Sequence, residues 1–326
     1  MIGHTVRVHG APCPTFVLAG PFPHQETELS ALLGRVRRRL VADGSGHVLK
    51  FALVNPSADA GHDLDYRFAQ CLPGAPEQFD LGAGCGHSML ASVAALGCRG
   101  PVRVRMLNTG ERAVCSPDGA GRLRLRFVHD PPLPTRRLLT TGRPVDSLSF
   151  DGRLLPVSLV ALGNPYVFVD AARLGFTSLE ALTRADHRLL RRLERLRGAA
   201  ARRFGLHLGR TLPKIAVVGA FRPGRLAVRA VTVPGWHPGI ALTGAACLAA
   251  ACAVEGTLPH ALARASGCSP AALHLDTPGG PVLATADTGV SGSAGKVLYG
   301  TGVGRKRATV LRTYTDLARW RTYATA

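Results

Sequence analysis

Two stretches of the chain are apolar or small at every helical position, and short segments that alternate apolar with polar residues run around them. Residues 82–96 (GAGCGHSMLASVAAL) and 243–254 (TGAACLAAACAV) each read as a turn of small residues opening a helix. A helix with no polar face has to be buried on all sides, and small side chains let the surrounding strands come close. Period-two alternation predicts strands over residues 102–108, 123–128, 147–155 and 226–233. Residues 178–204 carry a helical period instead. Thr177 or Ser178 is the N-cap, Glu180 follows it, and Leu189, Leu190, Leu193 and Leu196 form an apolar stripe. The proline-rich piece from Pro131 to Pro134 reads as a turn or connector.

The pattern repeats once. Gly10-Ala11-Pro12-Cys13-Pro14-Thr15-Phe16-Val17-Leu18 resembles Gly163-Asn164-Pro165-Tyr166-Val167-Phe168-Val169-Asp170, each a tight turn running into an apolar strand. The two small-residue helices follow later in each half, and aligning them sets Ala241 opposite Cys85. Two halves of like design, each a curved sheet around a central helix, account for this. The expected fold class is α+β, with domains at 1–150 and 151–326, the junction near residues 142–158, and the last strands near 300–315 crossing back to the first domain.

Composition changes the picture modestly. With 326 residues, 46% of them hydrophobic, and 61 Gly and Pro together, the chain is globular and turn-rich. No apolar run reaches the roughly 18 residues a membrane helix needs, and the N-terminus lacks a secretory pattern, so no membrane partner and a cytoplasmic location are expected. The net charge of +19 comes from 36 Arg against four Lys (Lys50, Lys214, Lys296, Lys306). It attracts anions, nucleic acid or a small polycarboxylate alike. The arginines around the 178–204 helix face several directions, no nucleic-acid motif accompanies them, and aromatics are only 6%, so they read as a solvated face and no nucleic-acid partner is expected. Eight cysteines form no CxxC pair and no zinc spacing, so they are expected as free thiols without a metal.

Three places could carry chemistry. Gly84-Cys85-Gly86-His87-Ser88 puts a thiol between glycines where a helix begins. Glycine lets a ligand approach the backbone, and the first-turn N–H groups with the helix dipole bind carboxylates. The same field favours a thiolate, so Cys85 can take a proton from carbon while nearby N–H groups of Gly86, His87 and Ser88 hold the developing enolate. The alternative is a packing cysteine in a glycine turn. Lys50 is the second candidate, one charge in an otherwise apolar strand; a role as base or anion clamp would justify its desolvation, and an edge lysine reaching water is the plainer reading. The third is the turn Thr243-Gly244-Ala245, preceded by His237, which could bind an anion although Ala241 removes the second thiol. Thr277-Pro278-Gly279-Gly280 is a further tight turn. The glycines at 300, 302 and 304 lack the strand–helix context of a nucleotide loop, and Asp43 reads as a turn former.

These residues together resemble the PrpF-like proteins. Those carry a lysine after a small-residue turn, here Asp43-Gly44-Ser45-Gly46 leading to Lys50. An Asp-x-x-Phe-x-Gln stretch follows (Asp65-Tyr66-Arg67-Phe68-Ala69-Gln70), and then a Cys-Gly turn opening a helix (Cys85-Gly86). Gly163-Asn164-Pro165, Pro213-Lys214-Ile215-Ala216, His237, Thr243-Gly244 and Thr277-Pro278-Gly279-Gly280 continue the order across nearly the whole chain. The resemblance implies the diaminopimelate epimerase fold with the site between its two domains. It also implies a cofactor-independent isomerase that moves a carbon–carbon double bond beside a carboxylate, with Lys50 and Cys85 as the proton-transfer groups. Gly86, His87, Ser88, Thr243, Gly244, Ala245, His237, Cys13 and Gly279 are then the expected substrate-binding positions. PrpF-like members act on 2-methylaconitate, methylitaconate, aconitate and oxalomesaconate, and others serve antibiotic pathways that make 4-alkyl-proline units.

The chain departs from that pattern at carboxylate-binding positions. An Arg-Gly-Gly-Thr-Ser-Lys-type loop is replaced by His9-Gly10-Ala11-Pro12-Cys13-Pro14-Thr15, asparagines around Cys-Gly are Gly84 and His87, and a histidine is Thr277. A specialised-metabolism substrate with fewer carboxylates is therefore the leading expectation. A polycarboxylate isomerase, a racemase or epimerase, and a non-catalytic binding protein are its rivals. A homodimer is compatible with the sequence, which does not fix the oligomeric state.

Overall fold

Strand pairing runs through the same series of steps twice in the computed structural model, which describes residues 1–72, 74–206, 211–232 and 235–315. Two units result: Met1–Leu125 with the segment from Lys306 onward, and Arg126–Arg305. In the first, β1 (Ile2–Val8) pairs antiparallel with β2 (Thr15–Ala19) and β2 parallel with β3 (Lys50–Pro56). Next, β3 pairs antiparallel with β4 (Leu64–Leu72), which also takes β5 (Ala75–Asp80) antiparallel. Finally β4 pairs parallel with β6 (Val102–Met106), and β6 antiparallel with β7 (Arg112–Pro117).

The second unit enters through β8 (Leu123–Pro134) and β9 (Asp146–Phe150), the latter antiparallel to β10 (Arg153–Leu162). Then the series repeats. β10 is antiparallel to β11 (Asn164–Asp170), and β11 parallel to β12 (Lys214–Arg222). β12 is antiparallel to β13 (Arg225–Val231), β13 parallel to β14 (Leu273–Thr277), and β14 antiparallel to β15 (Gly280–Ser291). Five pairings recur in the same order and sense, which is the duplication read from the sequence. β16 (Gly295–Lys306) then joins β15 and β8, so residues 126–150 pack with the second unit and the division falls at 125/126, ahead of 150/151. β17 (Ala308–Tyr314) returns to pair antiparallel with β1.

The helices sort by sequence pattern. In the first unit α1 (Glu26–Ala42) is amphipathic and buries Leu29, Leu32, Leu33, Val36 and Leu40 against Phe16, Leu18, Phe51 and Leu53. α2 (Gly86–Ala95) has no polar face; every residue from Gly86 to Val93 is buried, and it packs on β1, β2, β3 and β17. In the second unit the helix expected over 178–204 is two, α3 (Leu179–Thr183) and α4 (His187–Arg203). The Asp186 carboxylate accepts from the N–H groups of Arg188 and Leu189 and starts α4 afresh, while Ser178 caps α3 as expected. The stripe of Leu189, Leu190, Leu193 and Leu196 buries against Leu148, Phe150, Leu155 and Val157. α5 (Leu242–Cys252) is buried along its whole length, and α6 (Leu258–Ala265), capped by Thr257, follows it.

Two further expectations are corrected. The strand over 147–155 is the β9–β10 hairpin, turned at Asp151-Gly152, both with positive φ. An Asp-Gly pair of this kind favours a tight two-residue turn over a continuous strand. The prolines from Pro131 to Pro134 extend β8, at a strand end where missing N–H groups are tolerated. The glycines at 300, 302 and 304 lie within β16, and a Cβ at Gly300 would sit 2.6 Å from the Phe127 carbonyl oxygen, so the glycine there serves close strand approach. Val233, the expected end of β13, lies outside the described residues. No described helix is long and apolar enough to cross a membrane.

Candidate active site

Cys85 is the N-cap of α2, held in an extended conformation (φ −140°, ψ 105°). Its carbonyl oxygen accepts from the Met89 N–H at 3.0 Å and from the buried Tyr66 hydroxyl at 2.9 Å. Burial, and secondarily the neighbouring Cys85 thiol, push the Tyr66 hydroxyl's pKa well above its ordinary value, so Tyr66 remains a donor. These two donors hold the Cys85 backbone at the mouth of α2. Its sulfur lies 3.7 Å from Lys50 Nζ, and both residues are buried. The resemblance paired the two residues as proton-transfer groups, and the fold sets them side by side within the first unit.

Lys50 opens β3, and the strand register explains how a charged residue is accommodated there. Thr15 of β2 pairs with Lys50, Lys50 with Gln70 of β4, and Gln70 with Asp80 of β5. Residues directly opposite across neighbouring strands share a sheet face, so one polar row crosses four strands and all four members are buried. The Thr15 and Ser88 hydroxyls are 2.9 Å apart, tying this row to the first turn of α2. Gln70 donates to the carbonyls of Leu49 and Cys71, each at 3.0 Å, which fixes the strand ends beside Lys50. Asp80 accepts from the Gly82 N–H at 3.0 Å, shaping the approach to the Cys85 turn. Thr15 and Asp80 were missed by sequence reasoning. Only pairing register reveals them, because polar residues near strand ends are common and register cannot be counted along one strand.

Of the other expected positions in this unit, Gly86, His87 and Ser88 form the first turn of α2, and all three are buried. The Ser88 hydroxyl is engaged by Thr15, which ties it into the scaffold. Cys13 is half-buried in the β1–β2 turn, and no described hydrogen bond joins it to Cys85 or Lys50.

The second unit holds the remaining positions. α5 starts at Ala241, the residue the repeat sets opposite Cys85, so the matching N-cap carries no thiol. The Thr243 hydroxyl accepts from Asn164 Nδ2 at 3.2 Å. Gly244 is packed against Tyr166, whose hydroxyl oxygen would be 2.5 Å from any added Cβ, and Ala245 donates its N–H to the Ala241 carbonyl. His237 is buried, and its Nδ1 accepts from the Gly239 N–H at 3.0 Å, which puts the neutral ring's proton on Nε2. Gly279 presses on the same loop, since a Cβ there would lie 2.8 Å from the Pro238 carbonyl oxygen. His237 and the Thr277–Gly280 turn are thus one assembly.

Three other buried cysteines, Cys71, Cys115 and Cys252, sit in the interior of the two units. Burial pushes the thiol pKa values of Cys71, Cys115 and Cys252 up, keeping them protonated. Cys247 and Cys252 face the carbonyls of Val160 and Pro259. No cluster of three or more His, Cys, Asp or Glu suited to a metal ion occurs among the described residues.

Comparison with known proteins gives these features a family. A family profile described as PrpF protein matches residues 109–313. The 4-oxalomesaconate tautomerase of Pseudomonas putida is 31% identical over 302 residues, covering 81% of each chain. Among solved structures, a methylitaconate-delta-isomerase superposes over 100% of this chain and 98% of its own, with a TM-score of 0.67 at 18% identity. A hydroxyproline epimerase from Agrobacterium vitis superposes over 96% of this chain and 91% of its own, with a TM-score of 0.60 at 16% identity. The duplicated strand order, the two buried helices and these matches together identify the chain as a member of the PrpF family, an isomerase with the diaminopimelate epimerase-like fold.

Proposed function

We propose that this isomerase shifts a carbon–carbon double bond in an unsaturated carboxylate by 1,3-proton transfer, with Cys85 and Lys50 as the two proton carriers. The observation that carries the reading is the 3.7 Å approach of Lys50 Nζ to Cys85 Sγ at the first turn of α2. One group removes a proton from an acidic C–H next to the double bond. The electron pair delocalises over the allylic system and its carboxylate, and the other group returns a proton at the far carbon. The C–H bond broken and the C–H bond formed balance, with no net oxidation. The N-terminal end of α2 favours the negative charge that builds up, and Cys85, its N-cap, contributes no side-chain cap that would compete for it.

Ala241 at the start of α5 weighs against a racemase, which needs a second acid–base group of the thiol kind. A binding protein without catalysis would have no use for a buried lysine beside a buried thiol, given what each costs to desolvate.

On substrate, we read the changed loop from His9 to Thr15 and the Gly84, His87 and Thr277 positions as favouring fewer carboxylates than a tricarboxylate carries. That suits specialised metabolism, such as a 4-alkyl-proline-type antibiotic pathway. A polycarboxylate of the oxalomesaconate type is the second reading, favoured by the 31% identity to the Pseudomonas putida tautomerase. Proton NMR in deuterated water, with oxalomesaconate, methylitaconate and an unsaturated proline-type monocarboxylate as candidate substrates, tests both. A shifted double bond with deuterium at the far carbon supports the isomerase. Label at one α-carbon with inverted configuration and an unmoved double bond would sink it in favour of the epimerase.

A further inference from the structure

We infer that Lys306 is the cation that anchors a substrate carboxylate at the mouth of α2, an assignment that rests on the proton-transfer reading for the identity of its ligand. Only four lysines occur in the chain, and two of them, Lys50 and Lys306, are each only 6% exposed. The Lys50 amine is engaged with Cys85. Lys306 has no such partner: among the described residues no carboxylate pairs with it, and burial is the sole influence on its pKa, pulling it down. A buried ammonium without a counter-charge is unfavourable, and an anion arriving with the ligand would relieve it.

Its placement says where that anion would sit. Lys306 Nζ lies 3.5 Å from the point a Gly10 Cβ would occupy, and His87 Nε2 lies 4.0 Å from the same point. Gly10 has a φ of +82° and no side chain, so the turn leaves this space open between the amine and the imidazole. His87 is the second residue of α2, so the gap adjoins the positive end of that helix, whose N-cap side chain makes no capping bond. The turn itself, from Gly10 to Cys13, supplies no cation. Lys306, arriving from the far end of the sequence as the chain re-enters the first unit, supplies one. The two buried lysines then divide the work, Lys50 beside the thiol and Lys306 on a carboxylate. A lysine suits this point better than one of the many arginines, because a compact ammonium fits a narrow gap that a planar guanidinium does not.

Isothermal titration of two carboxylates that cannot isomerise tests this: propane-1,2,3-tricarboxylate and pyrrole-2-carboxylate, each against the wild type, Lys306→Met, Lys306→Gln and Cys85→Ser. At least one probe is expected to bind the wild type. Its Kd should weaken about 10- to 100-fold in both Lys306 variants and stay within about threefold in Cys85→Ser, which keeps the anchor. Thermal melts establish that the variants fold, and Lys306→Met, relieved of a buried charge, is expected to melt no lower than the wild type. A wild-type Kd in either folded Lys306 variant overturns the assignment, as does failure of both probes to bind the wild type. If Cys85→Ser keeps full isomerase activity while the Lys306 variants lose probe binding, the proton-transfer reading fails and the carboxylate anchor stands.

Discussion

The starts of α2 and α5 are built on the same plan and carry different chemistry. Each helix is apolar or small all round, each is buried, and neither is capped by its N-cap side chain. Of the other helices, α3, α4 and α6 are capped by Ser178, Asp186 and Thr257, whereas α1 starts at Gln25 without a side-chain cap. A tyrosine attends both central helices, Tyr66 on the Cys85 carbonyl and Tyr166 against Gly244. A hydroxyl in the first turn of each is held by the turn or strand that opens the half, Ser88 by Thr15 and Thr243 by Asn164. The N-cap itself differs: Cys85 beside Lys50 in the first unit, Ala241 in the second. The scaffold recurs in both halves, while the two proposed proton carriers, Cys85 and Lys50, sit in the first unit. Under the proposed mechanism, that asymmetry distinguishes a double-bond shift from inversion between two matched thiols.

The largest effect expected on breaking this asymmetry comes from its chemical half. Cys85→Ser and Lys50→Ala should each cost about 10²- to 10⁴-fold in turnover with little change in melting temperature, measured by steady-state kinetics on the substrate found by NMR. Next is Gly244→Ala, whose Cβ would meet Tyr166 at 2.5 Å. It should destabilise the protein by about 1–3 kcal/mol in urea unfolding. Asp186→Ala removes the cap that separates α4 from α3 and should cost about 1 kcal/mol in the same measurement, without touching turnover. Tyr66→Phe deletes one of two donors on the Cys85 carbonyl, with about 0.5–1.5 kcal/mol lost from stability. The smallest effect is the most pointed. Ala241→Cys places a thiol at the second N-cap yet should leave the isomerase rate within about threefold, because both proposed proton carriers lie in the first unit. Racemisation appearing in that variant would show that the second half keeps latent catalytic geometry.

Much of this was legible in the sequence because burial on every face leaves an unmistakable pattern. The stretches that became α2 and α5 have no polar stripe, so their central position and the duplication followed from residue type alone. Cys85 stood out for its glycine neighbours and Lys50 for being charged in an apolar strand. What brings them together is the pairing of β3 with β4 and the packing of α2 on β3, and that is non-local information no single strand carries. The row Thr15–Lys50–Gln70–Asp80 was hidden for the same reason. Asp186 could have been read as a cap, since it precedes the leucine stripe, but the continuous helical period around it masked the break. Asp151-Gly152 carried a hairpin signal that strand alternation on both sides overrode. Lys306 lay in a basic cluster, Arg305-Lys306-Arg307, and only coordinates distinguish its buried amine from solvated neighbours.

The central claim is that Lys50 and Cys85 act as one unit, and iodoacetamide alkylation followed by peptide mass spectrometry at neutral pH tests it most directly. Cys85 should react faster than Cys71, Cys115 and Cys252 in the wild type, and its rate should fall about tenfold or more in a folded Lys50→Met variant while theirs does not move. A Cys85 rate that is as slow as that of the other buried thiols, or that is unchanged when Lys50 is removed, would contradict the account.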